Sequence, residues 1–348
     1  MNHGISILFR AIPLAMAAFC FAYGAYIYEA GTDPSRLTAG PVVFFLGAIC
    51  VALYCTAATI IRQIIGTYSE AAKYIFPAIG YSAAAITIVC GLILIASHAT
   101  GSLVAGHVVC GLGLIATCVS TAATASTRFT LIPKNSADAD FRINPHGFTR
   151  GQSAALIAVA ATAAAAAWIW GILMLAKGSL PAHIVAGLVL LGIACVCTSL
   201  IALVASIARQ VRGSYAMNEG SKWMSLVLGM GGLAFAAGIV VFIVFRHHPI
   251  NFVGFVLIGL ALICWSISSK VILLAKIWHA DFPLAVRIPV IPVLTALCCL
   301  FLAAFLFEAA GFESKYFVPA RVLTGFGAIC FTLYSIVSIL ESGTSKKS

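Results

Sequence analysis

The stretch Gly47-Ala48-Ile49-Cys50-Val51-Ala52-Leu53-Tyr54 returns near the other end of the chain as Gly327-Ala328-Ile329-Cys330-Phe331-Thr332-Leu333-Tyr334. Six of the eight positions are identical, at an offset of 280. Weaker copies lie between. Gly106 to Arg128 matches Gly40 to Arg62, with Gly40/Gly106, Gly47/Gly113 and Arg62/Arg128 in register. Ile250 to Lys276 matches His183 to Arg209, with Gly187/Gly254 and Gly192/Gly259 in register. Each copy follows another apolar segment and a short polar tip. The repeating unit is therefore a helical hairpin, and the chain holds five. Fixed-period self-similarity sets the architecture before any local reading.

Composition says which solvent those hairpins meet. The chain has 348 residues, 62% hydrophobic and 9% charged, where a soluble domain carries about 25% charged residues. A spanning helix needs ~20 apolar residues. Ten such segments pair as hairpins at about 7–62, 75–127, 153–208, 223–277 and 289–341. The sequence thus predicts an all-α polytopic transmembrane bundle forming one integral membrane domain over residues 1–348. The first segment is long enough to span and lacks a small-x-small cleavage site, so it is read as the first membrane helix. The polar, turn-rich break at about 129–150 is read as a cytoplasmic linker, too short to be a domain. The run Ala160 to Ala167 lets helices approach closely and nominates the fifth segment as the centre of the bundle.

The net charge of +10 is unevenly spread. Ten spans put both termini and the links after even-numbered segments on one side. That side carries fifteen of the twenty Lys and Arg residues. The positive-inside rule then predicts cytoplasmic termini. The basic excess reads as topology and as contact with anionic membrane lipids, with no soluble basic domain to suggest nucleic acid. All twelve cysteines fall inside predicted spans, with no Cys-x-x-Cys pair and no zinc spacing. They read as small apolar residues, and no metal or cofactor is expected.

Four residues on the outer side are candidates for a pH response. Glu29 and Glu308 occupy matching places in the first and fifth hairpins. If the hairpins close into a ring, the two carboxylates become neighbours and one titrates at mildly acid pH. The other reading makes both ordinary helix-end residues reaching water. Five of the eight histidines, His98, His107, His183, His247 and His248, also fall on that side. His107 and His183 are read as matching positions of hairpins two and three. Histidine changes charge between pH 5 and 8, so a cluster there is either an acid sensor or a set of polar tip residues.

On the cytoplasmic side Arg62, Arg128, Arg209 and Lys276 end the second helices of hairpins one to four. A cation complements a helix C-terminus and anchors to lipid phosphate. Lys270, inside the eighth span, is read as snorkelling to the interface. Glycine-rich phosphate loops, His-Glu-x-x-His and Gly-x-Ser-x-Gly are absent, so no enzyme is expected. The spans lack the mid-membrane carboxylate typical of ion-coupled carriers.

Several segments carry a family resemblance. Val104-Ala105-Gly106-His107-Val108, Leu131-Ile132-Pro133-Lys134-Asn135, Arg287-Ile288-Pro289-Val290-Ile291-Pro292-Val293 and Arg321-Val322-Leu323-Thr324-Gly325-Phe326-Gly327-Ala328 resemble the YhiM family of enterobacterial inner-membrane proteins. The resemblance runs over essentially the whole length. It implies an inner-membrane protein of a family of unknown function with a role in acid-stress survival. In that family's pattern an Ala-Gly-His-Val phrase recurs in several hairpins. Here His107 keeps it fully, His183 keeps Ala-His-Ile-Val, and the first hairpin has Pro41 in the histidine's place.

The leading expectation is a non-enzymatic inner-membrane protein supporting acid-stress survival, sensing periplasmic pH through Glu29, Glu308, His107 and His183. One alternative is a transporter or channel for a small solute. Another is a membrane scaffold recruiting a cytoplasmic protein partner. A continuous polar path would favour transport, and a closed apolar bundle would favour the others.

Overall fold

A computed structural model describes residues 3–64, 67–97, 101–128, 147–178, 180–216, 218–278 and 287–344. Its ten long helices are α1 (His3–Glu29), α2 (Pro34–Ile64), α3 (Ala72–Ala96), α4 (Ser102–Ser126), α5 (Arg150–Lys177), α6 (Pro181–Val211), α7 (Glu219–Val244), α8 (Val253–Trp278), α9 (Val290–Ala310) and α10 (Phe317–Thr344). Each belongs to a stretch long and apolar enough to cross a membrane. The predicted linker at 129–150 lies mostly outside the described residues; its end is Thr149, which caps α5 in a capping box with Gln152.

The helices form two layers. The even-numbered helices build a closed inner ring in which α2 packs on α4, α4 on α6, α6 on α8, α8 on α10, and α10 back on α2. Each odd-numbered helix lies outside, against its hairpin partner and one further ring helix: α1 on α2 and α10, α3 on α4 and α2, α5 on α6 and α4, α7 on α8 and α6, α9 on α10 and α8. In the most apolar stretches, 72–78% of inner-helix residues are buried, against 22–33% for the outer helices. Large apolar side chains exposed along the helices, such as Ile93, Ile172, Val244 and Phe301, belong to the outer helices, apart from Phe331 of α10. That surface meets the lipid.

Small residues explain how close the layers come. Every outer helix buries one narrow stripe at spacings of three and four: Ala17, Cys20 and Gly24; Ala84, Thr87 and Gly91; Ala164, Ala167 and Gly171; Gly231, Ala234 and Gly238; Ala296, Cys299 and Ala303. This spacing gives a straight seam along a nearly parallel partner, and small side chains bring the backbones together. A methyl group on Gly238 would meet the Gly254 carbonyl oxygen at 2.9 Å. A second set of glycines closes the ring. Methyls on Gly111, Gly192 and Gly259 would meet Ile193 at 2.8 Å, Leu260 at 2.6 Å and Phe326 at 2.5 Å, and Gly325 seats Leu46 in the same way. Each glycine holds a large residue of the next ring helix.

Three expectations need correction. The alanine-rich α5 is an outer helix: its small residues line one seam against α6, while Ile169, Ile172 and Leu173 face outward. The second spanning segment, which hydropathy alone puts at about 42–62, starts eight residues earlier as α2, because Pro34 opens its first turn and Pro41 is accommodated within it. Lys270 does not snorkel: it is 2% exposed.

Candidate functional site

The ring encloses an axis, and the axis opens on the face that carries the α1–α2, α3–α4, α5–α6, α7–α8 and α9–α10 links, here the tip face. A vestibule of about 220 Å³ lies there, lined by all five inner helices. Ser35, Thr38 and Lys315 lie among its rim residues, and Val104, Val185, Phe252 and Val318 complete the tier of Thr38. One turn deeper come Val42, Val108, Val189, Val256 and Val322, one valine from each inner helix. The floor is Leu112, Ile193, Leu260 and Phe326, completed by the fully buried Leu46. All but Leu112 are the residues seated on the ring glycines, so the constriction and the ring closure share most of their contacts. Apolar constrictions of this kind shut a pore by excluding water.

Below the floor the stripes continue at spacings of three and four. Apolar tiers at Ile49, Ile115, Val196, Ile263 and Ile329, then at Leu53, Val119, Leu200, Ile267 and Leu333, are buried throughout. The following tier holds Thr56, Ala122, Leu203, Lys270 and Ile336, also all buried. Toward the face carrying the termini, side chains brace the ring. Gln63 Nε2 donates to the Ser126 carbonyl at 2.9 Å, and Gln210 Nε2 to the Leu274 carbonyl at 3.0 Å. Each satisfies a late carbonyl of the next ring helix, and each leaves its own Oε1 without a partner among the described residues. In the links beyond, burial pushes the Tyr68 phenol up to about 12 and raises that of Tyr215, so both stay neutral.

The structure brings the two candidate histidines together. His107 of α4 is buried against Trp170 of α5, ring centroids 5.5 Å apart and edge to face, and His183 and Lys177 act on it electrostatically. Both histidines have a buried Nδ1 with no hydrogen-bond partner among the described residues. They are not equivalent positions. With Val108 and Val189 on one tier, His107 is level with Leu188, and His183 with Ser102. The neighbourhood arises because α4, α5 and α6 pack on one another. His247 lies in the α7–α8 link and His248 opens the short turn Pro249–Phe252, while His98 is outside the described residues.

The carboxylates are not joined. The ring does close, but Glu29 opens into a crevice of about 340 Å³ between α1, α2 and α3, on the side of α1 away from α9. Glu308 ends α9, which packs on α8 and α10. Both are exposed, and no ion pair or hydrogen bond links them among the described residues. The nearby cations are engaged elsewhere: Arg36 lies over Phe317 at 5.5 Å and pairs with Asp33 at 3.7 Å, and Arg321 lies over Phe317 at 3.3 Å and Phe307 at 5.0 Å.

The basic residues at the terminal face differ among themselves. Arg62 lies over Phe76 at 5.1 Å and Arg128 over Phe148 at 5.7 Å. Arg209 is paired with Glu219 at 2.7 Å and donates to the Ser214 carbonyl, so it is engaged within the protein. Lys276 is exposed. No grouping of three or more His, Cys, Asp or Glu that could hold a metal occurs among the described residues.

The valine tier and the constriction were missed in the sequence reading. Their signal was present: two residues beyond the aligned glycines Gly40, Gly106, Gly187 and Gly254 stand Val42, Val108, Val189 and Val256. Comparison with known proteins adds two findings. A family described as "Protein of unknown function (DUF2776)" matches residues 1–345. The "Inner membrane protein YhiM" of Escherichia coli (strain K12) is 43% identical over 350 residues, covering 100% of both chains.

Proposed function

The chain belongs to this family of unknown function, and from that premise we propose that it is a non-enzymatic small-solute channel or transporter of the inner membrane, with its path along the ring axis. One observation carries the reading: five helices close around an axis that opens as a vestibule at the tip face; three successive apolar tiers shut it below, so the polar path is not continuous in this state and the vestibule is what favours transport. A scaffold needs a surface for its partner, and a closed ring with an axial vestibule adds nothing to that task. The termini are assigned to the cytoplasm by the charge asymmetry, so the vestibule faces the periplasm.

The test is flux into proteoliposomes. Leu260→Ala and Leu112→Ala each thin the constriction. The expected result is that vesicles bearing either variant leak a small neutral solute that wild-type vesicles retain. Leakage no faster than from protein-free vesicles, with monodisperse protein, overturns the path.

A role in acid stress is the second reading, favoured by the juxtaposition of His107, His183 and Lys177. Histidine is the side chain whose charge responds to mild acid, and charge on this pair would place like charges on α4 and α6, two walls of the vestibule. Their repulsion spreads the ring at the tip face, so acidification opens the path. His107→Gln with His183→Gln is expected to remove any acid dependence of flux and of acid survival. Glu29→Gln with Glu308→Gln tests the carboxylates in the same assays; unchanged survival discards them.

A further inference from the structure

Lys270 is the largest fully buried side chain among the described residues. It lies on the axial stripe of α8, fourteen residues beyond the vestibule residue Val256, and so on the same helix face in a two-heptad register. No hydrogen bond or ion pair holds it among the described residues. The carboxylates there, Glu29, Asp33, Glu70, Glu219, Glu308, Glu313 and Glu341, all lie at span ends or in links. In register the nearest is Glu341 of α10, five residues past Ile336 toward the terminal face. The amide oxygens of Gln63 and Gln210 belong to residues one heptad further along, roughly 10 Å at helical rise, and accept no hydrogen bond from it among the described residues.

An isolated ammonium in a membrane interior costs several kcal/mol. Buried ionisable groups there mark pathways and call for a counter-charge. We propose that Lys270 is the binding site for a small monovalent anion on the ring axis, which makes small anions the solute class; this rests on the axial path proposed above. The lysine offers three donors on a flexible stem. Thr56, on the same tier, offers a hydroxyl whose present bond to the Ala52 carbonyl is long, at 3.4 Å, and readily exchanged. When protonated, the lysine places a positive charge on the axis and disfavours cations there, by the same rule that makes rings of basic side chains select anions.

Two independent measurements test this. The first is thermal unfolding of purified protein in sodium chloride and in sodium gluconate at equal ionic strength. Wild type and Lys270→Arg are expected to be stabilised by chloride over gluconate, and Lys270→Met not. A chloride shift that is absent from wild type, or equal in Lys270→Met, overturns the anion site. The second is chloride uptake into dye-loaded vesicles in the Leu260→Ala background, under a potassium–valinomycin clamp. Lys270→Met is expected to lower chloride flux about tenfold, the equivalent of one lost charge contact of ~1.4 kcal/mol. Unchanged chloride flux overturns anions as the solute class. A vesicle that passes no solute of any kind overturns the path alone, and the unfolding measurement still decides the site.

Discussion

The inner ring and the outer belt are made from nearly the same alphabet and do opposite work. Both are apolar enough to span, and both place small residues at spacings of three and four. The outer helices bury one stripe and give the rest of their circumference to lipid. The inner helices are buried around most of their circumference, and they carry the vestibule, the constriction and Lys270, a buried lysine with no ion pair among the described residues. Apolarity therefore marks membrane residence in both layers, while tolerance to substitution separates them. A lipid-facing residue has a solvent that adapts to it; a ring residue has neighbours that do not.

Substitutions matched between the layers sharpen that contrast, and each is checked by the midpoint of thermal unfolding in detergent. Phe326→Ala, at the constriction, is expected to cost about 3–5 kcal/mol, the usual range for emptying a buried aromatic site. Phe301→Ala, 74% exposed on α9, should stay within about 0.5 kcal/mol. If the two cost the same, the layer assignment is wrong. Two glycines of α7 make the same test within one helix. Gly238→Val, against a backbone carbonyl that cannot yield, should cost about 1–3 kcal/mol or more. Gly232, with nothing within 4 Å of an added methyl, should gain up to about 1 kcal/mol as alanine from helix propensity.

Smaller effects belong to the braces. Gln210→Leu removes the donor to the buried Leu274 carbonyl and should cost about 1–3 kcal/mol. Thr149→Ala removes the exposed cap of α5 and should cost about 1 kcal/mol. A larger loss from the cap than from the brace would mean that α5 contributes more to the fold than its outer position implies.

The spans were legible because ten long apolar runs separated by polar tips admit few other readings. The hairpin pairing followed from their spacing and from aligned glycines. The candidate site was legible only in part. His107 and His183 were singled out, but their nearness depends on α5 packing between α4 and α6, which alignment of the hairpins does not reveal. Glu29 and Glu308 were paired on the assumption of ring closure. The ring closes, and yet the side of α1 that Glu29 occupies turns it toward α3. Lys270 was given to the interface because distance along a helix says nothing about which face is outward.

By itself the sequence determined that the chain lives in a membrane, that it crosses ten times, and that its helices have seams of small residues. Those properties are local: hydropathy and spacing are carried by each segment alone. Which helices are inner, what the constriction is made of, and whether a buried lysine faces an axis or lipid were decided by tertiary structure. Inner and outer helices are equally apolar, and in a bilayer the hydrophobic effect does not drive one against another. Only close packing between helices, glycine against leucine and glycine against phenylalanine, separates the two layers.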